Sequence, residues 1–288
     1  MNAIKITNLC KQYKGFALNH INLTVPKGSI MGIIGENGAG KSTTINAILG
    51  LVSFDEGEIE VFDQPIKTEL STEIKQKLGV VLGEDTFPGT MNVLQVGKMM
   101  AMSYKNWDKV CFEQYLQRFS LPKKKLIKEY SRGMKMKLAL AAAFSHKAEL
   151  LILDEPTNGL DPVMRDEIVD ILFDFIQNEE HSILISSHIT SDLEKICDYV
   201  TFIHQGSVLY SEEKDLLLER LCVVKCSKEQ LDDLDKAKIK GVRQSKFGAE
   251  VLMERDSVPD GLSIDNVTLE DIIIFISKGE KVHESTVL

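Results

Sequence analysis

The chain has 288 residues, of which 43% are hydrophobic and 27% are charged, a composition that suits one large globular domain and a smaller one. Its formal net charge of −9 argues against a general nucleic-acid binder, because neutralising phosphates requires an excess of Lys and Arg. Its longest apolar runs, at residues 138–144 and 272–276, are far shorter than the roughly 18 to 20 residues that cross a bilayer, so any membrane role is expected to go through a partner.

The first residues and the cysteines indicate a reducing, cytosolic environment. Residues 1–11 alternate polar and apolar side chains and lack the apolar stretch and small-residue cleavage site of a signal peptide. The five cysteines are scattered without a CxxC pair, so we expect neither a disulfide framework nor a zinc site. We therefore expect a protein that stays in the cytosol.

The first predicted elements are strands, followed by a glycine-rich turn and a helix. Strands are expected at residues 5–8, 17–25 and 30–34, and a helix from Lys41 until Gly50 stops it. The turn fits the phosphate-loop pattern GxxxxGK[ST] and consists of Gly35, Glu36, Asn37, Gly38, Ala39, Gly40, Lys41 and Ser42. Its backbone N–H groups suit a phosphate anion, Lys41 suits the β- and γ-phosphates, and the Ser42 hydroxyl suits Mg²⁺. Thr43 is included among the predicted nucleotide contacts.

A helical region is predicted next, over about residues 90–147, as a subdomain inserted in an α/β core. Asp108 is expected to cap one helix, and Ser131 is expected to cap another that runs through residue 143. The first of these helices is expected to place on one face Val110, Phe112, Tyr115, Leu116 and Phe119.

Two short apolar runs, at residues 150–153 and 182–185, are predicted to be buried strands of a largely parallel sheet. The first run leads directly into Asp154 and Glu155. Asp154 is suited to hold a metal through water, and Glu155 is suited to orient and polarise a water that attacks the γ-phosphate. Together with the phosphate loop, this acidic pair favours nucleotide hydrolysis.

The character of the sequence changes near residue 220. Strands at residues 199–204 and 208–210, joined by a turn at Gln205 and Gly206, precede a charged helix over residues 212–220. We place the first domain at residues 1–220. Residues 221–288 are predicted to form a small α+β accessory domain of open role, with a charged helix at 228–236, a hairpin and an amphipathic helix at 269–277.

In this order the motifs resemble those of the ATP-binding cassette (ABC) ATPases, over roughly residues 4–220. The resemblance implies an α/β fold: a P-loop NTPase core with a mainly parallel sheet, an antiparallel β subdomain and the inserted helical subdomain. It implies that Tyr13 stacks on adenine and that His188 reaches the γ-phosphate. It also identifies residues 157–161 as the D-loop, with Asp161 counted among the nucleotide contacts.

Residues 130–134, Tyr-Ser-Arg-Gly-Met, resemble the family's signature Leu-Ser-Gly-Gly-Gln, in which Ser131 and Gly133 are retained. A Ser cap and a residue without a side chain, at the positive end of a helix, suit a second anion site. In the family this site binds the γ-phosphate held by the opposite subunit. The resemblance thus implies a second ATP-binding subunit, which is either another copy of this chain or a paralogue.

Glu84 stands where the family usually has a Gln that contacts the metal and senses the membrane subunit, and it joins Ser42 and Asp154 as a predicted metal ligand. This change, the altered signature and the single nucleotide-binding domain resemble a bacterial subgroup that works with ABC-2-type membrane subunits and exports peptides, antibiotics or other amphipathic compounds. The resemblance implies ATP and Mg²⁺ as cofactors and an integral membrane permease as partner. The chain would then lie at the inner face of the cell membrane.

Two alternatives are weaker. A soluble ABC ATPase acting on DNA or the ribosome usually has a second cassette, or coiled-coil or zinc insertions, and the sequence has none of these. A P-loop kinase would leave the signature, the D-loop and His188 unexplained. The sequence therefore favours a transport ATPase, and it leaves the cargo, the direction of transport and the choice between homodimer and heterodimer open.

Overall fold

The computed structural model describes residues 1–66, 68–83, 86–246 and 248–278. The chain divides into two compact units, Met1–Ser211 and Glu212–Leu288. In the described ranges no helix combines the length and the apolar character needed to cross a membrane.

The described residues form fourteen strands and ten α-helices. The strands are β1 (Asn2–Tyr13), β2 (Phe16–Pro26), β3 (Ile30–Ile34), β4 (Glu56–Val61), β5 (Gln64–Ile66), β6 (Leu78–Leu82), β7 (Leu150–Asp154), β8 (Ser182–Ser187), β9 (Tyr199–His204), β10 (Ser207–Glu213), β11 (Leu221–Cys226), β12 (Ile239–Ser245), β13 (Gly248–Glu254) and β14 (Ser263–Asn266). The helices are α1 (Lys41–Ile48), α2 (Thr72–Lys77), α3 (Val93–Ser103), α4 (Lys109–Arg118), α5 (Arg132–Ser145), α6 (Pro162–Ile176), α7 (Thr190–Ile196), α8 (Lys214–Arg220), α9 (Lys228–Asp233) and α10 (Leu269–Lys278).

The central sheet of the first unit has six strands in the order β10-β9-β3-β8-β7-β6. β3 pairs in parallel with β8 and β9, and β7 pairs in parallel with β6 and β8. All residues of β3 and β8 are buried, as expected for strands covered on both faces. The register sets Asp154 beside Leu82 and Ser186, and Ile34 beside Ser187. The residues that follow these strands therefore meet at one edge of the sheet.

A second sheet of the first unit has the order β2-β1-β4-β5 and is antiparallel. Its inward side chains join those of α1 and the central sheet in one buried cluster, which includes Ile6, Ile21, Ile45, Leu150 and Leu184. This shared core anchors the start of α1, and with it the phosphate loop, against both sheets.

The helical region contains α3, α4 and α5, with α4 capped by Asp108 and α5 by Ser131, as predicted. Phe112, Leu116 and Phe119 are buried, but Val110 is 66% exposed, so the expectation that it shares their face is wrong. The reason is geometric, because two positions along a helix correspond to a rotation of about 200°.

The second unit is built on an antiparallel sheet in the order β12-β13-β11-β14. Alternate residues of β11 and β13, among them Val224 and Val251, form a separate core. Phe275 of α10 lies against Gly241 of β12, where a Cβ would be 2.6 Å from the Phe275 carbonyl oxygen. The helix predicted over residues 212–220 begins only at Lys214, because β10 continues to Glu213.

Candidate nucleotide site

The predicted phosphate loop joins the buried end of β3 to the first turn of α1. Gly40 caps α1 with a φ of +119°, a conformation that suits glycine. A Cβ at Gly40 would also lie 2.6 Å from Leu18 Cδ2 and 3.1 Å from Phe16 Cζ. The loop can therefore adopt this close turn against β2 only with glycine at this position.

The outer side of the loop is open. Glu36, Asn37 and Gly38 are exposed, whereas Gly35, Ala39 and Gly40 are buried. The first turn of α1 has no acidic side chain and no side-chain cap, so its backbone N–H groups can donate to an anion. On that turn Ser42 is exposed and Thr43 is half-buried.

Lys41, Glu155 and His188 are in direct contact. The Lys41 ammonium donates to the backbone oxygens of Gly35 at 2.8 Å and Glu36 at 3.3 Å, and it lies 3.1 Å from Glu155 Oε1. The other carboxylate oxygen, Oε2, lies 2.6 Å from His188 Nδ1. The Lys41 and Glu155 side chains are only 6% and 19% exposed, so this charge pair is well shielded from water.

Asp154 and Glu155 are fixed by Ser186 at the end of β8. The Ser186 hydroxyl donates to Asp154 Oδ1 at 2.5 Å and accepts the Glu155 N–H at 3.0 Å. Glu155 has a φ of +51°, a strained value for a residue with a side chain. In this backbone conformation the Glu155 side chain leaves the strand direction and contacts Lys41 and His188.

Tyr13 lies at the end of β1 and is 39% exposed. Its ring faces that of Phe16 at a centroid distance of 6.4 Å and an angle of 30°. Phe16 in turn lies near Gly40 of the phosphate loop. An exposed aromatic face is thus connected to the loop through one intervening ring.

Ser131, Gly133 and Asp161 belong to a separate group at the starts of α5 and α6. The Ser131 hydroxyl accepts the Met134 N–H at 3.3 Å, and the Asp161 carboxylate accepts the Met164 N–H at 3.0 Å. A Cβ at Gly133 would lie 2.7 Å from Met164 Cγ, so the two helix starts are closely packed. The Asp161 side chain acts here as a helix cap.

The prediction for Glu84 lies outside the described residues. The preceding strand, β6, places Leu82 beside Asp154, and Gly83 has a φ of +72°.

Sequence reasoning missed several residues that shape the site, chiefly Ser186, Arg132 and Met164. The Ser186-Ser187-His188 run after an apolar strand was a usable signal for Ser186, because small hydroxyl side chains rarely end a buried strand without a partner. The roles of Arg132 and Met164 depend on contacts between α5 and α6 that sequence does not show.

A parallel sheet with a phosphate loop, a strand-end acidic pair and a histidine at one edge defines a P-loop NTPase. Residues 18–158 match the family model described as ABC transporter. The bacitracin transport ATP-binding protein BcrA of Bacillus licheniformis is 37% identical over 224 residues, which cover 75% of this chain and 72% of the relative. The lantibiotic transport ATP-binding protein SrtF of Streptococcus pyogenes is 36% identical over 217 residues, 74% of this chain and 91% of the relative.

Among solved structures, an ATP-binding subunit of an ABC transporter superposes with a TM-score of 0.65 and 24% identity, over 75% of this chain and 91% of that one. The chain belongs to the family of ABC transporter ATP-binding proteins. It is the ATP-hydrolysing subunit of an ABC transporter, and the predicted family, fold class and ATPase activity are confirmed. These relatives give no support to an action on DNA or the ribosome.

Proposed function

We propose that this chain hydrolyses ATP where β3, β7 and β8 end, and so drives export of a peptide antibiotic or a similar amphipathic compound through an ABC-2-type membrane subunit. The observation that carries the proposal is the contact of Lys41, Glu155 and His188 at that edge. The cargo class is supported by the names of BcrA and SrtF, which are transport proteins for bacitracin and a lantibiotic.

The nucleotide contacts follow from the geometry of the loop. The N–H groups in the first turn of α1, which has no side-chain cap, suit the phosphates, and the Lys41 ammonium supplies a positive charge beside them. The exposed Tyr13 ring suits stacking on adenine, because it leads through Phe16 to the same loop. Asp161 is the weakest of the proposed contacts, since its carboxylate caps α6.

The residues present fit a magnesium ion held jointly with phosphates. The exposed Ser42 hydroxyl and the Asp154 carboxylate offer hard oxygen ligands. In the described part of the chain no group of three or more acidic, His or Cys side chains forms a cage for a metal, which agrees with an ion that takes its other ligands from phosphates and water. When bound, Mg²⁺ would neutralise charge that develops on the phosphates. Ser42 and Asp154 would hold it, and Glu84 remains a further proposed ligand.

For hydrolysis, the carboxylate of Glu155 must be released from Lys41. Phosphate oxygens are the stronger partners for the Lys41 ammonium, so nucleotide binding leaves Glu155 bonded only to His188 at Oε2. Glu155 then has an oxygen with which to orient and polarise the attacking water. His188 donates from Nδ1 to that carboxylate and keeps it in place, and with both ring nitrogens protonated it also donates from Nε2 toward the γ-phosphate.

A second copy of the chain, or a paralogue, completes each site. The cap at Ser131 and the Gly133 backbone form a helix N-terminus that suits an anion, and they belong to a group apart from Lys41. In a two-fold dimer this helix start would face the phosphates bound by the opposite subunit, and both sites would be satisfied together. We propose the homodimer as the default arrangement.

The membrane partner would hold the chain at the inner face of the cell membrane. Nucleic acid is not a proposed partner, in keeping with the net charge of −9.

The test is to tag the chain, purify it from detergent-solubilised membranes of its host, and identify what accompanies it. An integral membrane protein that stimulates ATPase activity, and a rise in bacitracin tolerance when both are expressed in a sensitive strain, support the proposal. The Glu155→Gln variant should still co-purify with the membrane protein but should confer no bacitracin tolerance. Co-purification of ribosomes or DNA without a membrane protein would contradict the proposed function.

A further inference from the structure

Arg132, the first residue of α5, lies against the D-loop of its own subunit. A Cβ built on Gly159 would lie 1.6 Å from Arg132 Nη1, 2.8 Å from its Cζ and 3.4 Å from its Cδ. The guanidinium therefore occupies the space into which any side chain at position 159 would project. Gly159 also has a φ of +70°, so glycine is required there on two separate grounds.

A second contact joins the same two segments. Gly133, next to Arg132, packs on Met164 in the first turn of α6, where a Cβ would lie 2.8 Å from the Met164 sulfur. The same Met164 donates its N–H to Asp161 at the end of the D-loop. The first turn of α5 is thus in contact with the middle of the D-loop and with the first turn of the helix that follows it.

Local helix energetics do not explain an arginine at position 132. The first turn of α5 has no acidic residue, and Arg132 places a positive charge at the end of the helix where the macrodipole is already positive. A cation there opposes helix formation. The guanidinium is planar and carries donors on several sides, so it suits packing over an exposed peptide segment such as the one at Gly159.

We propose that Arg132 is a positioning residue: it fixes the D-loop relative to the signature turn, so that the two move as one unit when subunits pair on ATP. The inference rests on the proposed function. Arg132 acts through Gly159 in this role. It does not contribute to nucleotide binding at the phosphate loop of the same subunit. Loss of the contact should thus reduce ATP-driven pairing and kcat, while the affinity of the lone subunit for ATP stays nearly constant.

The geometry supplies two ways to break the same contact. Arg132→Gly removes the guanidinium. Gly159→Ala keeps it but displaces it, since the clashing atom is the end of a flexible side chain. Each variant is expected to lower kcat about tenfold, within the range seen for residues that couple two segments. The double variant is expected to be no worse than Gly159→Ala, which already loses the contact and also carries the backbone strain of a side chain at a φ of +70°.

The readouts are kcat and KM for ATP, the affinity of each monomer for a fluorescent ATP analogue, and ATP-driven pairing measured by light scattering in a Glu155→Gln background. Arg132→Lys should pair better than Arg132→Gly but less well than wild type, because a lysine keeps the charge without the planar group. Gly261→Ala is the matched control: Gly261 has a φ of +88° with no atom within 4 Å of the added Cβ, so it measures backbone strain alone. This control should keep the wild-type kcat.

Additive losses in the double variant, or a normal kcat and normal pairing in Arg132→Gly, would overturn the inference while leaving ATP hydrolysis by the wild type intact. A matching loss of the monomer's affinity for the ATP analogue would overturn it too, since it would place Arg132 in nucleotide binding. If Arg132→Gly does not fold, the single variants Gly159→Ala and Arg132→Lys are compared with wild type instead. A wild-type chain that does not hydrolyse ATP would instead refute the proposed function, on which this inference depends.

Discussion

Glu155→Gln should tighten ATP binding while it sharply lowers turnover. In the structure, one oxygen of Glu155 pairs with Lys41 at 3.1 Å and the other contacts His188 at 2.6 Å. Phosphate groups must compete with Glu155 for Lys41. A glutamine amide has nearly the same shape but no charge, so the competition weakens and the position that polarises water is lost.

The burial of the Lys41–Glu155 pair determines how much its loss changes ATP affinity and the free energy of unfolding. A hydrogen bond to a charged partner contributes about 1.5 to 3 kcal/mol, and its loss from the nucleotide-free state should tighten ATP binding by roughly tenfold or more. The same loss should lower the free energy of unfolding without nucleotide by about 1 to 3 kcal/mol, since Lys41 is only 6% exposed and keeps only backbone partners. Turnover should fall by roughly 10² to 10⁴, the usual contribution of a general base.

The assay compares wild type, Glu155→Gln and Glu149→Gln by calorimetric titration with ATP and Mg²⁺, by steady-state ATPase activity, and by light scattering. Glu149 is a matched control because it pairs with Lys77 at 3.3 Å, just before β7 rather than after it. Glu149→Gln should leave ATP affinity and turnover at wild-type values. Weaker ATP binding by Glu155→Gln than by wild type would refute the idea that Glu155 and the phosphates share Lys41.

Three further predictions concern single residues. Lys41→Ala should weaken ATP binding by at least about tenfold and abolish hydrolysis, because a charge-assisted contact to phosphate is lost; a near-normal ATPase rate in the purified variant would contradict the site assignment. Tyr13→Ala should weaken ATP binding by about tenfold, as loss of a stacked base does, and leave binding of inorganic triphosphate unchanged; equal losses for both ligands would remove Tyr13 from the adenine site. Burial lowers the pKa of His146, which stacks on Tyr104 at 3.9 Å, to about 4 from 6.5 in the unfolded chain. Between these pH values the unfolded state binds more protons, so stability should fall by up to about 3 kcal/mol as pH drops, and urea titrations of His146→Phe should lack that part of the slope.

Local signals in the sequence were sufficient for the elements that carry the chemistry. The capping residues Asp108 and Ser131 located two helix starts, because a side-chain cap is a contact within three residues. β1 was harder to predict. It runs over Asn2–Tyr13, well beyond the predicted residues 5–8, because pairing with both β2 and β4 supports polar positions and register shifts that have no periodic pattern.

The contacts between distant segments are what sequence reasoning could not supply. Lys41, Glu155 and His188 were each predicted, but their direct contact depends on the parallel register of β3, β8 and β7. The packing of Arg132 on Gly159 joins residues in different motifs, and no propensity or spacing rule connects them. Such contacts depend on how α5 and α6 pack.

The Lys41–Glu155 pair gives a physical reason to expect that ATP binding and subunit pairing are coupled. In a single chain the charge of Lys41 is already compensated, so the phosphates gain less from it than from an unpaired lysine. The start of α5, capped by Ser131, offers a second positive region, which the helix dipole supplies. If both regions must act on one nucleotide, a lone subunit binds ATP weakly and a pair binds it tightly. The difference between these affinities is then the free energy that ATP binding contributes to pairing.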